Sequence, residues 1–191
     1  MKNRIELAQY FAQLGFKKGV EVGVCDGRYS EILMKTIPGL KLWGIDPYIE
    51  YSGDSKQRKQ DEHNDKYRQA KARLDKFPNY ELVVCESVEA AKLVEDESLD
   101  FVFIDGNHFY EYVRDDIRAW YPKVRLGGIL SGHDYYEFKS GKGGIIPAVN
   151  EFIVETGEEL QTTEWDNSAF PDDRQPDWFI IKNKSKLCQT C

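Results

Sequence analysis

A mainly parallel sheet wound on both faces by helices, an α/β fold, follows from three features of this 191-residue chain. Short apolar runs alternate with stretches whose apolar residues recur at helical spacing. The order is one helix, about five β–α repeats, then two strand-like runs close together. Polar residues, several of them acidic, stand just after the apolar runs. Apolar strands between amphipathic helices need cover on both faces, and right-handed crossovers supply it.

Each element has its own signal. IELAQYFAQLG places Leu7, Tyr10, Phe11 and Leu14 on one helical face, with Gly15 as the stop. GVEVGV is a strand. The next helix carries Tyr29, Ile32, Leu33 and Ile37 before Pro38, and LKLWGID is the second strand. Residues 50–76 are strongly polar: Tyr67, Ala70, Leu74 and Phe77 mark a helix in the second half. The first half reads equally as a mobile lid or as a solvated helix extension. YELVVCES is the third strand, followed by a helix around Val88 to Val94 and the strand LDFVFIDG. Tyr110, Val113, Ile117 and Trp120 share a helical face, and GGILSGHDY is a fifth strand. Ile145, Val149, Phe152 and Ile153 mark the last helix, before the strands LQTTEW and DWFIIKNK.

The length suits one domain, residues 1–183, with 184–191 as a flexible tail. A formal charge of -7 and the lack of a basic stripe argue against a nucleic-acid partner. The amino-terminal residues lack the apolar core of a signal peptide, and no run reaches the ~18 apolar residues of a membrane span. A cytoplasmic protein without membrane contact is expected. Cys25 and Cys85 sit in apolar runs as small hydrophobes. Cys188 and Cys191 form a lone CQTC, read as an inert tail because neither a second pair nor a helix start accompanies it.

In a doubly wound sheet the ligand lies at the carboxyl ends of the strands. The first such end reads Glu21, Val22, Gly23, Val24, Cys25, Asp26, Gly27. A dinucleotide fingerprint needs a glycine where Cys25 stands. Gly23 and Gly27 let backbone approach a ligand, and the next helix offers unpaired N–H groups. Glu21 suits an ammonium group better than a pyrophosphate. Asp46, ending the second strand, suits two ribose hydroxyls. Glu86 and Ser87 end the third strand on the adenine side, and Asp105 ends the fourth. A nucleoside joined to an amino acid without phosphate describes S-adenosylmethionine.

The segments GVEVGVCDGRYS, WGIDPY, LDFVFIDGNHFYEYVRDDIRAWYPKVRLGGILSGHDYY, AVNEF and DWFIIK carry a resemblance to class I S-adenosylmethionine-dependent methyltransferases. Within that class the chain is most similar to the small O-methyltransferase-like methyltransferase family 24. The resemblance spans residues 17–183, and its most specific block is IDGNHFYEYVRDDI with GGILSGHD. It implies a Rossmann-like, seven-stranded sheet whose last two strands form an antiparallel pair. It also implies transfer of a methyl group to a small-molecule hydroxyl, on a sugar or a polyhydroxylated metabolite.

Methyl transfer to a hydroxyl requires removal of a proton near the sulfonium. His108, three residues past Asp105, suits a general base, though it equally suits a polar helix start touching the cofactor. Related metal-dependent O-methyltransferases carry an acidic ligand after strand four and an adjacent pair after strand five. By position Asp105, His133 and Asp134 match these ligands, for a divalent ion such as Mg, Mn or Fe. Imidazole at His133 departs from the related aspartate and favours Mn, Fe or Zn over Mg. His133 as a turn cap and Asp134 as a backbone acceptor are the plainer roles. Tyr48, Tyr51, Tyr110, Tyr135 and Tyr136 flank the cleft, as stacking groups for an acceptor or as rim packing. The short chain leaves an acceptor pocket that a second copy, in a homo-oligomer, would complete. A non-catalytic cofactor-binding protein and an NAD-linked oxidoreductase remain the alternatives.

Overall fold

The computed structural model describes residues 1–50, 59–138, 143–166 and 174–183. Seven strands form one sheet in the order β3-β2-β1-β4-β5-β7-β6. They are β1 Lys18–Val22, β2 Lys41–Ile45, β3 Tyr80–Val83, β4 Leu99–Ile104, β5 Val124–Gly132, β6 Leu160–Thr162 and β7 Trp178–Ile181. The first five run parallel, and β7 pairs antiparallel with both β5 and β6. The helices are α1 Arg4–Gln13, α2 Arg28–Thr36, α3 Gln60–Leu74, α4 Ser87–Ala91, α5 Tyr110–Trp120 and α6 Ile145–Thr156.

Alternation along β4 shows how the sheet is covered. Phe101 and Phe103 point into a cluster with Leu7, Phe11, Tyr29 and Leu33 of α1 and α2. Val102 and Ile104 point the other way, to Val113 and Ile117 of α5 and Val149 and Phe152 of α6. A smaller cluster sets Ala70 and Leu74 of α3 against Val24 and Tyr48. Asn3 caps α1 by accepting from the N–H groups of Ile5 and Glu6 at 2.9 and 3.1 Å.

Several boundaries differ from the sequence pattern. Leu14 lies past the last turn of α1 and is exposed, while Arg4 and Ala8 join Leu7 and Phe11 on the buried face. Helix α4 ends at Ala91, and Val94 packs from the following turn. β5 starts at Val124, earlier than its glycines suggest, and β6 is only three residues long. The polar stretch is helical from Gln60, as a solvated extension would be. The rest of the proposed lid, Tyr51 and the CQTC tail lie outside the described residues. Among the described residues no helix is long and apolar enough to cross a membrane.

Candidate active site

The carboxyl end of β1 is built around Gly23. Its N–H donates to Ile45 O at 2.8 Å, while Asp105 N–H donates to Val22 O at 2.7 Å. Gly23 therefore crosses between β2 and β4 at φ 88°, and an added Cβ would collide with the Asp105 carbonyl. Asp46 pins the loop beyond it: Oδ2 accepts from Val24 and Cys25 N–H at 3.0 and 2.9 Å, and Oδ1 from Tyr48 N–H at 2.9 Å. Burial raises the Asp46 carboxyl pKa, and these three donors oppose the shift. One carboxylate thus fixes the loop and keeps lone pairs on Oδ1 for a ligand. Asp46→Ala is expected to weaken S-adenosylhomocysteine binding by about 1–3 kcal/mol. Unchanged affinity in calorimetry would remove Asp46 from the site.

Glu21 is 2% exposed and bonded to the Ser30 hydroxyl. Burial pushes its carboxyl up to about 8, partly opposed by Ser30 and reinforced by Asp105. Glu21 is thus largely neutral at pH 7, and an ammonium ligand would have to draw off its proton. Because the folded value is raised, the stabilising protonated state is complete below about 4.5 and is lost as pH rises through about 8. Glu21→Gln, which cannot ionise, is expected to gain stability relative to the parent by about 2 kcal/mol or more between pH 5 and 8.5. Urea unfolding at the two pH values checks this; a pH-independent difference would contradict it.

Next to the glycine loop, at the ends of β4 and β5, runs a chain of alternating acidic and basic groups. Arg4 Nη2 lies 3.4 Å from Asp105 Oδ2, and Asp105 Oδ1 lies 3.7 Å from His108 Nε2. His108 Nε2 is 3.1 Å from Asp134 Oδ2, and Asp134 Oδ1 is 3.3 Å from His133 Nε2. His133 Nδ1 ends the chain 2.7 Å from Asp177 Oδ1. Arg4 also stacks over the rings of Tyr29 and Phe103. Burial alone would raise the Asp105 pKa, but His108 and Arg4 outweigh it and hold the carboxyl low. Burial opposes charge on His108, yet Asp105 and Asp134 raise its pKa to about 9.

These contacts redistribute the roles read from sequence. At neutral pH His108 already carries the proton that a general base would have to accept. Asp105, His108 and Asp134 each offer a ligand atom within 4.8 Å of the others. The Nε2 of His108, though close to both carboxylates, has no aligned hydrogen-bond acceptor. His133, expected in that set, is 6% exposed and turns Nδ1 to Asp177. Asp26 pairs with Lys66 at 3.1 Å, facing α3. Gly27 opens α2 at φ 80°, and an added Cβ there would lie 2.6 Å from Leu74 Cδ1, so its left-handed backbone and the packing of α3 both favour glycine. Glu86 is exposed and makes no side-chain cap to α4. Ser87 accepts from Trp120 Nε1 at 2.8 Å and bonds to Asp116, whose buried carboxyl is pushed up to about 7. Arg4 and Asp177 join the charged chain from outside the strand ends that the sequence marks. Their one sequence signal was a charged residue on an apolar helix face and another directly before an apolar strand.

The family model for methyltransferase family 24, a methyltransferase domain, matches residues 20–135. The chain belongs to this family of class I methyltransferases. The family match takes in Glu21 through Asp134, whereas Arg4 and Asp177 fall outside it. Over 136 residues this methyltransferase chain is 24% identical to the uncharacterized protein R132 of Acanthamoeba polyphaga mimivirus, covering 71% of the chain and 59% of that relative. It thus spans about three fifths of the relative's length. An O-methyltransferase from Bacillus cereus, solved with S-adenosylhomocysteine, superposes with a TM-score of 0.64 at 15% identity, covering 94% of this chain and 80% of that one. An rRNA methylase from Streptococcus thermophilus superposes with a TM-score of 0.62 at 12% identity, covering 96% and 99%. At such identities the superpositions establish the methyltransferase fold, and the fold alone does not choose the acceptor.

Proposed function

We propose that this methyltransferase moves the methyl group of S-adenosylmethionine to a hydroxyl of a small molecule, beside a divalent cation held by Asp105, His108 and Asp134. The observation that carries the reading is the convergence of those three residues at the ends of β4 and β5, next to the glycine loop. Two carboxylates and one imidazole make a donor set suited to Mn or Fe; the cation would take the place of the His108 proton between the two carboxylates, releasing it to solvent and freeing Nε2 as a ligand. When bound, the cofactor would supply a methyl group already activated for displacement, its sulfur keeping the electron pair of the broken S–C bond, and the cation would lower the pKa of a hydroxyl beside it so that the proton leaves to solvent.

The chain's own residues do the positioning. Asp46 offers Oδ1 to the ribose while holding the loop through Oδ2. Glu21, Gly23, Asp26 and Gly27 frame the amino-acid end, and Glu86 and Ser87 frame the adenine side. Arg4 restrains Asp105, and His133 restrains Asp134. A net charge of -7 supports an acceptor other than nucleic acid.

Separate calorimetric titrations with S-adenosylhomocysteine and NAD test the cofactor. Micromolar binding of the first alone is the expected result, and binding of NAD alone would return the chain to the oxidoreductase reading. Turnover on a hydroxyl acceptor should then fall on adding EDTA and return with Mn. Full activity in EDTA would remove the cation from the proposal.

A further inference from the structure

Beyond the charged chain, three rings lead away from His108 in unbroken contact. The His108 and Phe138 ring centroids are 5.8 Å apart. Phe138 stacks on Tyr136 at 4.4 Å, and Tyr136 meets Trp165 edge to face at 5.4 Å. Trp165 is 58% exposed, an unusual position for so large an apolar surface. It is nevertheless held in place. On one side Glu164 N–H donates to Met1 O at 3.1 Å, and on the other Asp166 N–H donates to Arg174 O at 3.2 Å. Asn3, the cap of α1, bonds to the Asp166 carboxylate. At the other end the Gly143 backbone lies against the Phe138 ring, leaving no room there for a side chain. The rings are therefore pre-positioned, which lowers the ordering cost of binding.

We infer that Tyr136, Phe138 and Trp165 form the acceptor shelf, and that it takes an uncharged aromatic ring carrying a hydroxyl. The inference rests on the methyl-transfer reading for the direction in which the hydroxyl points. A phenolic ring continues the series of stacked and edge-on pairs already present, at the separations aromatic pairs prefer. Only the Phe138 end of the series adjoins His108, at 5.8 Å, so the ring lies along the shelf between Trp165 and Phe138 with its edge hydroxyl directed to that end. An aliphatic ring presents no such quadrupole to Trp165. Glu137, Glu164 and Asp166 border the rings along the chain and disfavour an anionic acceptor such as a benzoate.

The test is calorimetry of catechol into protein saturated with S-adenosylhomocysteine. Saturable binding is expected, weakened about tenfold by Trp165→Ala and kept near the parent value by Trp165→Phe. Affinity for S-adenosylhomocysteine, measured first on each variant, should be unchanged, which separates loss of the shelf from loss of the fold. Equal catechol affinity in Trp165→Ala overturns the assignment, as does binding of methyl glucopyranoside with no binding of catechol. Failure of the parent to bind S-adenosylhomocysteine would instead strike the methyl-transfer reading, and catechol titrated alone into the parent and Trp165→Ala would still judge the shelf.

Discussion

Replacing Asp134 by asparagine is expected to cut methyl transfer by on the order of 100-fold, with cofactor affinity unchanged. The substitution is clean for a backbone reason. Asp134 has φ 60°, in the left-handed region where asparagine is among the few residues tolerated. Shape and backbone survive, and only the charge between His108 and His133 goes. That charge is shared, since Oδ2 faces His108 and Oδ1 faces His133. Losing it removes one anionic donor from the proposed cation set. Turnover with saturating Mn, together with S-adenosylhomocysteine calorimetry, checks the outcome. Parent-like turnover would exclude Asp134 from the chemistry.

The second large effect is on folding. Gly23→Ala is expected to cost about 3 kcal/mol or more in urea unfolding, combining a strained positive φ with a backbone collision. The collision is with the Asp105 carbonyl, which β4 holds in place. Gly27→Ala makes the comparison informative. Its φ of 80° is similarly unfavourable, yet the nearest obstacle is the tip of the Leu74 side chain, which can turn aside. Gly27→Ala should therefore cost clearly less than Gly23→Ala. The reverse order would mean that the crossing at Gly23 is looser than its geometry implies.

What the sequence made legible is what lies close together along the chain. The strand ends carrying Asp46, Asp105 and Asp134 could be read because each follows a short apolar run, and strand ends are where such sheets place ligands. His108 was visible for the same reason, three residues beyond Asp105. Its protonation was not, because it depends on Asp134, which arrives from a different strand. The partner of His133 is Asp177, 44 positions away, and Arg4 reaches Asp105 across 101 positions. Nothing local marks such pairings; only the order of strands creates them. Gly23 and Gly27 read as openings for a ligand; in the fold Gly23 also lets the chain pass the Asp105 carbonyl, and Gly27 packs against the Leu74 side chain.

The position of β7 bears on how the molecule comes to be folded. It enters the sheet between β5 and β6, so β6 finds its sheet partner only when the later strand arrives. Asp177, immediately before β7, arrives with it. During synthesis the β1–β5 half can pair as it emerges, while the support for Asp134 through His133 waits for residue 177. Such late, distant pairing is intrinsically slow. The proposed cofactor half of the site can thus form before the proposed acceptor half is complete.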